Sequence, residues 1–325
     1  MDKVVLGIDI AKETFVVVLV RDEQRSQGEF SNDPAGYEQL GRWLNKRKAK
    51  TVHACLEATG RYGDALAVWL HESGHGVSVI NPARLKAYAQ SRLSRTKTDG
   101  VDAGLLADFC LTQSPEAWTP PDPAWPELQA MVRQLDALQA TRQQELNRLA
   151  AHPPSAVVRQ TIEAHIAFLD AQIKTLKTQI RDHIDRHPDL KSQHDLLTSI
   201  PGIGDTTANL ILAEIRDLRA FDDAGQVVAY AGLNPRHRQS GKSVHGHSTL
   251  SKCGNARLRR GLYMPALVAK RFNPFIQAFC ARLAQNGKPH MVVLAAAMRK
   301  LLVLAYGVVK SGQPFDPTRF TSIHP

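Results

Sequence analysis

The chain has 325 residues, 43% of them hydrophobic, which suits two folded domains with real cores and excludes a disordered chain. A formal net charge of +10 indicates a polyanionic partner, most often a nucleic acid. The four cysteines show no C-x-x-C spacing, so neither a disulfide framework nor a zinc site is expected, and a reducing cytosol fits.

The positive charge is concentrated near the C-terminus. Between Asp223 and Asp316 there is no Asp or Glu, and those 92 residues contain 14 Lys and Arg. The rest of the chain keeps 27 of the 41 basic residues against 31 acidic ones. We therefore expect a mildly acidic body and a strongly basic C-terminal region that contacts nucleic acid.

The first third of the chain predicts an α/β domain, residues 1–119. Strands are predicted at 4–10, 15–20, 25–30, 51–57 and 76–80, and helices at 37–46, 65–71 and from 99 onward. The order βββαβαβα predicts a mixed sheet flanked by helices.

Four acidic residues fall at the ends of these elements. Asp9 closes the first strand and Glu57 the fourth, while Asp99 and Asp102 open the helix that Thr98 is expected to cap. Taken alone, each acid would be explained as a solvated residue at the end of a strand or helix. Four gathered carboxylates would repel one another unless divalent cations bind them, and oxygen-only ligation favours Mg²⁺, with Mn²⁺ possible.

Residues 120–190 predict an antiparallel helical hairpin. One arm has a coiled-coil spacing of apolar residues, and the other a similar stripe before Pro153 and Pro154. The hairpin is either a site of oligomer contacts or a rigid strut within one chain. Its longer arm, near 30 residues, spans roughly 45 Å. An arm that long could hold the two domains of one chain apart. We therefore hypothesise that the acids of one chain act together with the second domain of a neighbouring chain.

The basic region, residues 191–325, is predicted to be mostly α-helical. Residues 196–215 read as two helices joined by a PGIG turn, a helix-hairpin-helix pattern in which Gly202 and Gly204 allow close approach to a phosphate. The apolar run 291–309 is interrupted by Arg299 and Lys300, which predicts a buried helix with a basic face and not a membrane span.

Residues 230–260 begin as a predicted loop and lead into a predicted helix at 255–263, and both are suited to contact with a DNA or RNA backbone. Seven basic residues there are expected to bind nucleic acid: Arg236, Arg238, Lys242, Lys252, Arg257, Arg259 and Arg260. Ser240 is one of several candidate nucleophiles beside Ser243, Ser248 and Ser251. Its proton would be removed by a carboxylate, by a metal or by one of the histidines at 237, 245 and 247.

Six short motifs resemble one bacterial insertion-sequence transposase family. They are GIDIAK at 7–12, EATG at 57–60, INPAR at 80–84, KTDGVDA at 97–103, SIPGIG at 199–204, and the SG that follows GLNPR. That family has a RuvC-like, RNase H-fold domain with a DEDD tetrad, a second domain that bears a serine, and a structured bridge RNA as its guide.

The resemblance implies specific roles for this chain. The tetrad would be Asp9, Glu57, Asp99 and Asp102, and the nucleophile Ser240, acting through a covalent phosphoserine. Donor and target DNA, a bridge RNA and a homo-oligomer, dimer or tetramer, would be the partners, in the bacterial cytoplasm at the nucleoid. Two rivals remain open from the residues: a hydrolytic junction-resolving nuclease, and a non-catalytic protein that bridges nucleic acids.

Overall fold

The structure, a computed structural model, describes residues 4–22, 24–58, 62–92, 98–152, 155–240 and 244–320, without the side chains of 237–248, 319 and 320. It divides into two compact units, Met1–Pro121 and Asp122–Pro325. Parts of the motifs and candidate residues named above lie outside the described residues: Thr59, Gly60, Lys97, Pro153, Pro154, Gly241, Lys242 and Ser243.

The first unit alternates strands and helices much as the sequence predicts. Its elements in chain order are β1 (Val5–Ile10), β2 (Thr14–Arg21), β3 (Gln24–Ser31), α1 (Pro34–Lys46), β4 (His53–Glu57), α2 (Asp64–Glu72), β5 (Gly76–Ile80), α3 (Pro82–Ser91) and α4 (Asp99–Gln113).

The five strands form one mixed sheet in the order β3-β2-β1-β4-β5. β1 is antiparallel to β2 and parallel to β4, and β4 is parallel to β5. Alternate residues of β1 enter two cores: Leu6 and Ile8 pack with α1 and α2, and Val5 packs with α3 and α4. The predicted mixed sheet is confirmed, and this architecture is consistent with an RNase H-like domain.

Helix α3 was not predicted, because the sequence reading ended the last strand at Asn81 and Pro82. Asn81 accepts a hydrogen bond from the Ala83 N–H (2.8 Å), and Pro82 is the first helical residue. Both residues are standard signals for a helix start.

The second unit is mainly helical. Its elements are α5 (Ala124–Ala150), α6 (Ala156–Arg186), α7 (Pro188–Thr198), α8 (Asp205–Ile215), a 3₁₀ turn (Leu218–Ala220), α9 (Ala224–Tyr230), β6 (Pro235–Ser240), β7 (Val244–Leu250), α10 (Ala256–Gly261), α11 (Tyr263–Phe272), α12 (Pro274–Gln285), α13 (His290–Ser311) and α14 (Pro317–Phe320).

Helices α5 and α6 pack against each other and belong to the core of the second unit. Arg142 on α5 pairs with Asp170 on α6, and the carboxylate of the buried Glu145 on α5 lies 3.2 Å from Nδ1 of His165 on α6. Later residues of α5 thus meet earlier residues of α6, so the two helices are antiparallel. The predicted seam is buried or half-buried at every position: Ile162, Ile166, Leu169, Ile173, Leu176 and Ile180. A role in coiled-coil oligomerisation stays a prediction.

Helix α13 is the one described helix that is long and apolar enough to cross a membrane, with a mean hydropathy of 2.0. Ten of its 22 residues are buried in the core of the second unit. Arg299 is exposed, and the Lys300 ammonium lies 5.2 Å from the centre of the Phe275 ring. These features are those of a core helix with a basic face.

The loop predicted at the start of the 230–260 stretch is in part a β-ribbon. β6 and β7 pair antiparallel, with an irregularity between Arg236 and Arg238. The reading missed the strands because they carry polar side chains without apolar alternation. The helix predicted at 255–263 corresponds to α10, and a further helix, α11, follows after Leu262.

Candidate active site

Three elements of the first unit carry the four acidic residues to one end of the sheet. Ile8 of β1 pairs with Leu56 of the parallel strand β4, so the residues that follow, Asp9 and Glu57, are neighbours at the same strand ends. Both side chains are half-buried. Helix α4 begins with Asp99, which is exposed, and Asp102, which is half-buried.

Thr98 caps α4, as the sequence predicts. Its hydroxyl oxygen accepts a hydrogen bond from the Val101 N–H at 3.3 Å, and its carbonyl oxygen accepts one from the Asp102 N–H at 2.9 Å. The cap fixes the first turn of the helix. Asp99 and Asp102 therefore lie three residues apart on one face, where the helix dipole favours negative charge.

Small residues let α4 lie directly on β1. A Cβ atom added to Gly7 would lie 2.0 Å from the Ala103 carbonyl oxygen and 2.3 Å from the Ala107 nitrogen. Ala103 and Ala107 are themselves fully buried. This close approach brings the start of α4 near Asp9. The sequence reading used Gly7 only as part of a motif and missed its packing role, which depends on residues about 100 positions away.

The charges of three of these carboxylates act on the fourth, that of Asp9. The pKa of Asp9 is raised from 3.8 to about 6, first by burial and then by the negative charges of Asp102, Asp99 and Glu57. Asp102, Asp99 and Glu57 thus lie near enough to Asp9 for their charges to act on it.

This donor set suits a hard divalent cation. All four side chains offer oxygen, which is the ligand type of Mg²⁺ and Mn²⁺. A cation bound among them would relieve the repulsion that raises the pKa of Asp9. The residues present therefore fit the group that the DEDD pattern implies.

The two glycines of the PGIG turn have different surroundings. Gly202 has a φ of +107°, and a Cβ atom there would lie 2.6 Å from the Cβ of Ala269 on α11. Gly204 immediately precedes α8, has an extended backbone, and would have no atom within 4 Å of an added Cβ. Gly202 is thus required by helix packing, whereas Gly204 is open to a ligand at the start of α8.

The basic residues of the second unit differ in exposure. Arg236, Lys252, Arg257 and Arg260 are exposed, whereas Arg259 is half-buried and donates to the Ala231 carbonyl oxygen at 3.0 Å. The described part of Arg238 is its backbone in β6. Ser240 is the last residue of β6 and pairs with Val244 of β7. The side chains of Arg238, Ser240 and the three neighbouring histidines lie outside the described residues.

A buried residue, Glu214, contacts both ends of the segment that carries Ser240, one through its carboxylate and the other through its backbone carbonyl. Glu214 is 2% exposed and accepts two hydrogen bonds from Arg133, at 2.9 and 3.0 Å. It also accepts one from the Asn255 amide at 2.8 Å, and its backbone carbonyl accepts one from the Tyr230 hydroxyl. The Asn255 N–H donates to the Tyr230 carbonyl at 2.6 Å, which closes the base of the ribbon.

The sequence reading missed this network. A lone Glu near the end of a helix carries no signal of its own, and its partners are 16 to 81 residues distant. Desolvation by burial raises the pKa of Glu214, but the hydrogen bonds from Arg133 and Asn255 and the positive charge of Arg133 outweigh it, so the pKa is lowered and the carboxylate stays charged. An ionised, fully paired carboxylate at this place rigidifies the base of the ribbon.

Comparisons with known proteins cover both units. The family model described as "Transposase IS116/IS110/IS902 family" matches residues 194–281, and a DEDD-type model described as "Transposase" matches residues 6–153. The pilin gene-inverting protein of Moraxella bovis is 36% identical over 320 residues, which cover 97% of this chain and 98% of the relative. The transposase for insertion sequence element IS1328 of Yersinia enterocolitica is 28% identical, with 96% and 98% covered.

Proposed function

Because the chain belongs to the IS116/IS110/IS902 transposase family, we propose that it recombines DNA to move an insertion sequence, guided by a structured bridge RNA. The observation that carries the proposal is the placement of Glu57, Asp99 and Asp102 around Asp9, whose pKa is raised to about 6 first by burial and then by the charges of those three carboxylates. Such an arrangement is costly for a purely structural protein and is typical of a site that acts on phosphates.

In this proposal Asp9, Glu57, Asp99 and Asp102 hold Mg²⁺ or Mn²⁺. A bound ion would neutralise charge on the scissile phosphate and make a nearby hydroxyl easier to deprotonate. Gly7 and the Thr98 cap maintain the spacing of the acids. The half-buried position of Asp9 limits competition from water for its carboxylate.

Ser240 supplies the nucleophile. Its hydroxyl oxygen attacks the scissile phosphorus, a serine–phosphate bond forms, and the bond from phosphorus to one DNA oxygen breaks, which leaves a free DNA hydroxyl. A hydroxyl of the exchanging strand then attacks the phosphoserine, which restores a phosphodiester and releases the serine. No phosphodiester is lost to water, so strands change partners without an external energy source.

The exposed basic residues bind the sugar–phosphate backbones of DNA and bridge RNA. Among the residues that the structure describes, Arg236 and Lys252 have no ion-pair partner, and Arg257 and Arg260 share one long pair with the Asp136 carboxylate, at 3.7 and 3.9 Å. Gly204 offers the start of α8 to a phosphate. These contacts position the strands without reading their sequence, which leaves sequence choice to the RNA.

Site-specific inversion is a second outcome of the same chemistry. It is favoured by the similarity to the pilin gene-inverting protein along nearly the whole chain. When two recombination sites lie in opposite orientation on one DNA, strand exchange inverts the segment between them. A plasmid with two such sites and a plasmid pair with one site each would distinguish inversion from transposition.

The serine step is tested by trapping the covalent intermediate. Purified chain with its co-purified RNA would be incubated with labelled donor and target DNA in Mg²⁺, denatured, and run on a gel. Wild type is expected to leave protein attached to nicked DNA. Ser240→Ala should leave none and should lower recombination by more than about 100-fold. A serine that only donated a hydrogen bond to a phosphate would contribute ~0.5–3 kcal/mol, and its loss would lower the rate by about 100-fold at most.

Ser243→Ala is the matched control and should retain the adduct. An adduct formed by Ser240→Ala would move the nucleophile to another residue, and free nicks without adduct in wild type would favour a hydrolytic nuclease. Sequencing the RNA that co-purifies tests the guide. Degrading that RNA should abolish recombination, and undiminished activity after degradation would remove RNA guidance from the proposal.

A further inference from the structure

One imidazole and two thiols meet between β4 and α4, apart from the acidic cluster. A ring nitrogen of His53 and the sulfur atoms of Cys55 and Cys110 all lie within 4.8 Å of one another. Cys55 and Cys110 are 0% and 1% exposed. Within the part of the chain that the structure describes, this is the one set of three metal-ligating side chains found so close together.

The fold builds this group from residues far apart in sequence. Strand alternation places His53 and Cys55 on the same face of β4, and α4 covers that face with Cys110. The Cys110 thiol donates to the backbone carbonyl of His53 at 3.4 Å. The absence of C-x-x-C spacing, which argued against a zinc site in the sequence, therefore does not apply to the folded chain.

Ser78 on β5 fixes the imidazole. Its hydroxyl donates to the Glu116 carbonyl oxygen at 2.6 Å and lies 2.8 Å from Nε2 of His53. A hydroxyl has one proton to donate, so at His53 it accepts, and Nε2 carries the hydrogen. The neutral ring then has its lone pair on Nδ1. Metal-binding histidines are oriented in the same way, by donating the N–H of their other nitrogen.

We propose that His53, Cys55 and Cys110 bind a thiophilic divalent cation of the zinc class. Zinc–sulfur and zinc–nitrogen bonds of about 2.3 and 2.0 Å hold donor atoms roughly 3.4–4 Å apart. A spacing of at most 4.8 Å therefore needs only a small contraction. Two thiol protons leave to solvent as the cation enters, and two thiolates with one neutral imidazole leave the site without net charge, which suits its burial.

Occupancy would fasten α4 to the sheet. Cys55 precedes Glu57 by two residues on β4, and Cys110 follows Asp102 by eight residues on α4. The cation would thus tie together two of the elements that carry the acidic residues. It is distinct from the ion proposed for those residues, because sulfur and imidazole select zinc-like cations and carboxylates select Mg²⁺. The inference holds whether or not the chain acts as a recombinase.

Cadmium is a direct probe, because cadmium–thiolate bonds absorb in the ultraviolet and cadmium–carboxylate bonds do not. The full chain would be stripped of metal, kept reduced with a phosphine, and titrated with Cd²⁺, with a second sample refolded in Cd²⁺ to remove any barrier to entry. We expect a saturable band at one Cd²⁺ per chain. Zn²⁺ should compete for it, Mg²⁺ should not, and Zn²⁺ should raise the thermal unfolding midpoint.

Two cysteine variants locate the site. Cys110→Ala should lose the band and the Zn²⁺-dependent rise, whereas Cys253→Ala, at an exposed cysteine of the second unit, should keep both. Circular dichroism of each variant establishes whether it is folded. If Cys110→Ala does not fold, His53→Gln provides an independent variant of the same site. No band in wild type even after refolding in Cd²⁺, or a band that survives in folded Cys110→Ala or His53→Gln, would overturn the proposal.

Discussion

Asp9 is the residue at which the electrostatics of the acidic cluster can be measured. In the folded chain its pKa is about 6, against an ordinary value of 3.8. Between those two pH values the folded chain binds the Asp9 proton more tightly than the unfolded chain does. The free energy of unfolding therefore falls as pH rises from about 4 to about 6, and the loss is complete above pH 6.

Replacing Asp9 by Asn removes the repelled charge but keeps the size of the side chain. In EDTA at pH 7.5, Asp9→Asn should unfold about 2–4 °C above wild type, a shift that corresponds to about 1 kcal/mol once solvent screening of this half-exposed carboxyl is allowed for. At pH 4 the difference should nearly vanish, because wild-type Asp9 is then protonated. Thermal unfolding followed by circular dichroism at both pH values gives the comparison.

Mg²⁺ should reverse the order of the two proteins at pH 7.5. Wild type gains a cation that Asp9→Asn binds less well, so its unfolding midpoint should rise more. A midpoint difference that is the same at pH 4 and pH 7.5, in EDTA and in Mg²⁺, would mean that Asp9 does not feel the other three carboxylates.

The individual acids could be found from sequence because each stands at the end of a patterned element. Asp9 and Glu57 lie at the ends of apolar strands, and Asp102 lies one turn inside a helix with a recognisable cap. Gly7 and Glu214 could not be found in this way. The function of each depends on a contact with residues that are distant in the chain, and local pattern does not contain that information.

At the scale of elements, the PGIG turn separates packing from binding. Gly202→Ala would place a Cβ atom 2.6 Å from Ala269 at a φ of +107°, so we expect a loss of about 1–3 kcal/mol of unfolding free energy. Gly204→Ser has open space and introduces a favoured residue before α8, so it should unfold at or above the wild-type midpoint. Denaturant unfolding of the two variants measures the contrast.

For Gly204→Ser, the expected effect on DNA binding is the opposite of the expected effect on stability. Gly204→Ser should weaken DNA binding although it is stable, because its side chain occupies the space through which a phosphate would reach the α8 N-terminus. Normal binding by Gly204→Ser would show that this turn serves packing alone. Equal destabilisation by both substitutions would contradict the assignment of separate roles to the two glycines.

Element prediction succeeded where apolar periodicity was strong and failed where it was absent. Strands β1 to β5 and the helices α1, α2 and α4 were predicted, because buried faces impose a period of two or about 3.6 residues. The ribbon of β6 and β7 was missed because its sequences, PRHRQS and VHGHSTL, are polar on both faces. The hydrogen bond from the Asn255 N–H to the Tyr230 carbonyl, which closes the base of the ribbon, is a tertiary contact that a local pattern does not contain.

At the scale of the whole molecule, charge follows the division into units. The 92 residues without an acid, which carry 14 basic residues, fall entirely within the second unit. The predicted hairpin belongs to that unit as well, because α5 packs against α8 and Arg133 of α5 pairs with Glu214 of α8. Composition alone located the basic region but could not show that the hairpin shares its core.

The affinity for duplex DNA should fall steeply as salt concentration rises. An arginine should contribute more to this dependence when it is exposed and is not held in a close ion pair with a carboxylate. Arg260 is exposed and lies 3.9 Å from its nearest acid, whereas Arg142 is held in a direct pair with Asp170. Each phosphate neutralised contributes about 0.9 to the slope of log affinity against log salt. Arg260→Gln should therefore lower that slope by about 0.9, and Arg142→Gln, which removes the same charge, should leave it unchanged.

Fluorescence anisotropy with labelled duplex from low to physiological salt measures both slopes. Equal changes in the two variants would mean that net charge governs binding, and an unchanged slope for Arg260→Gln would place the DNA backbone elsewhere on the second unit.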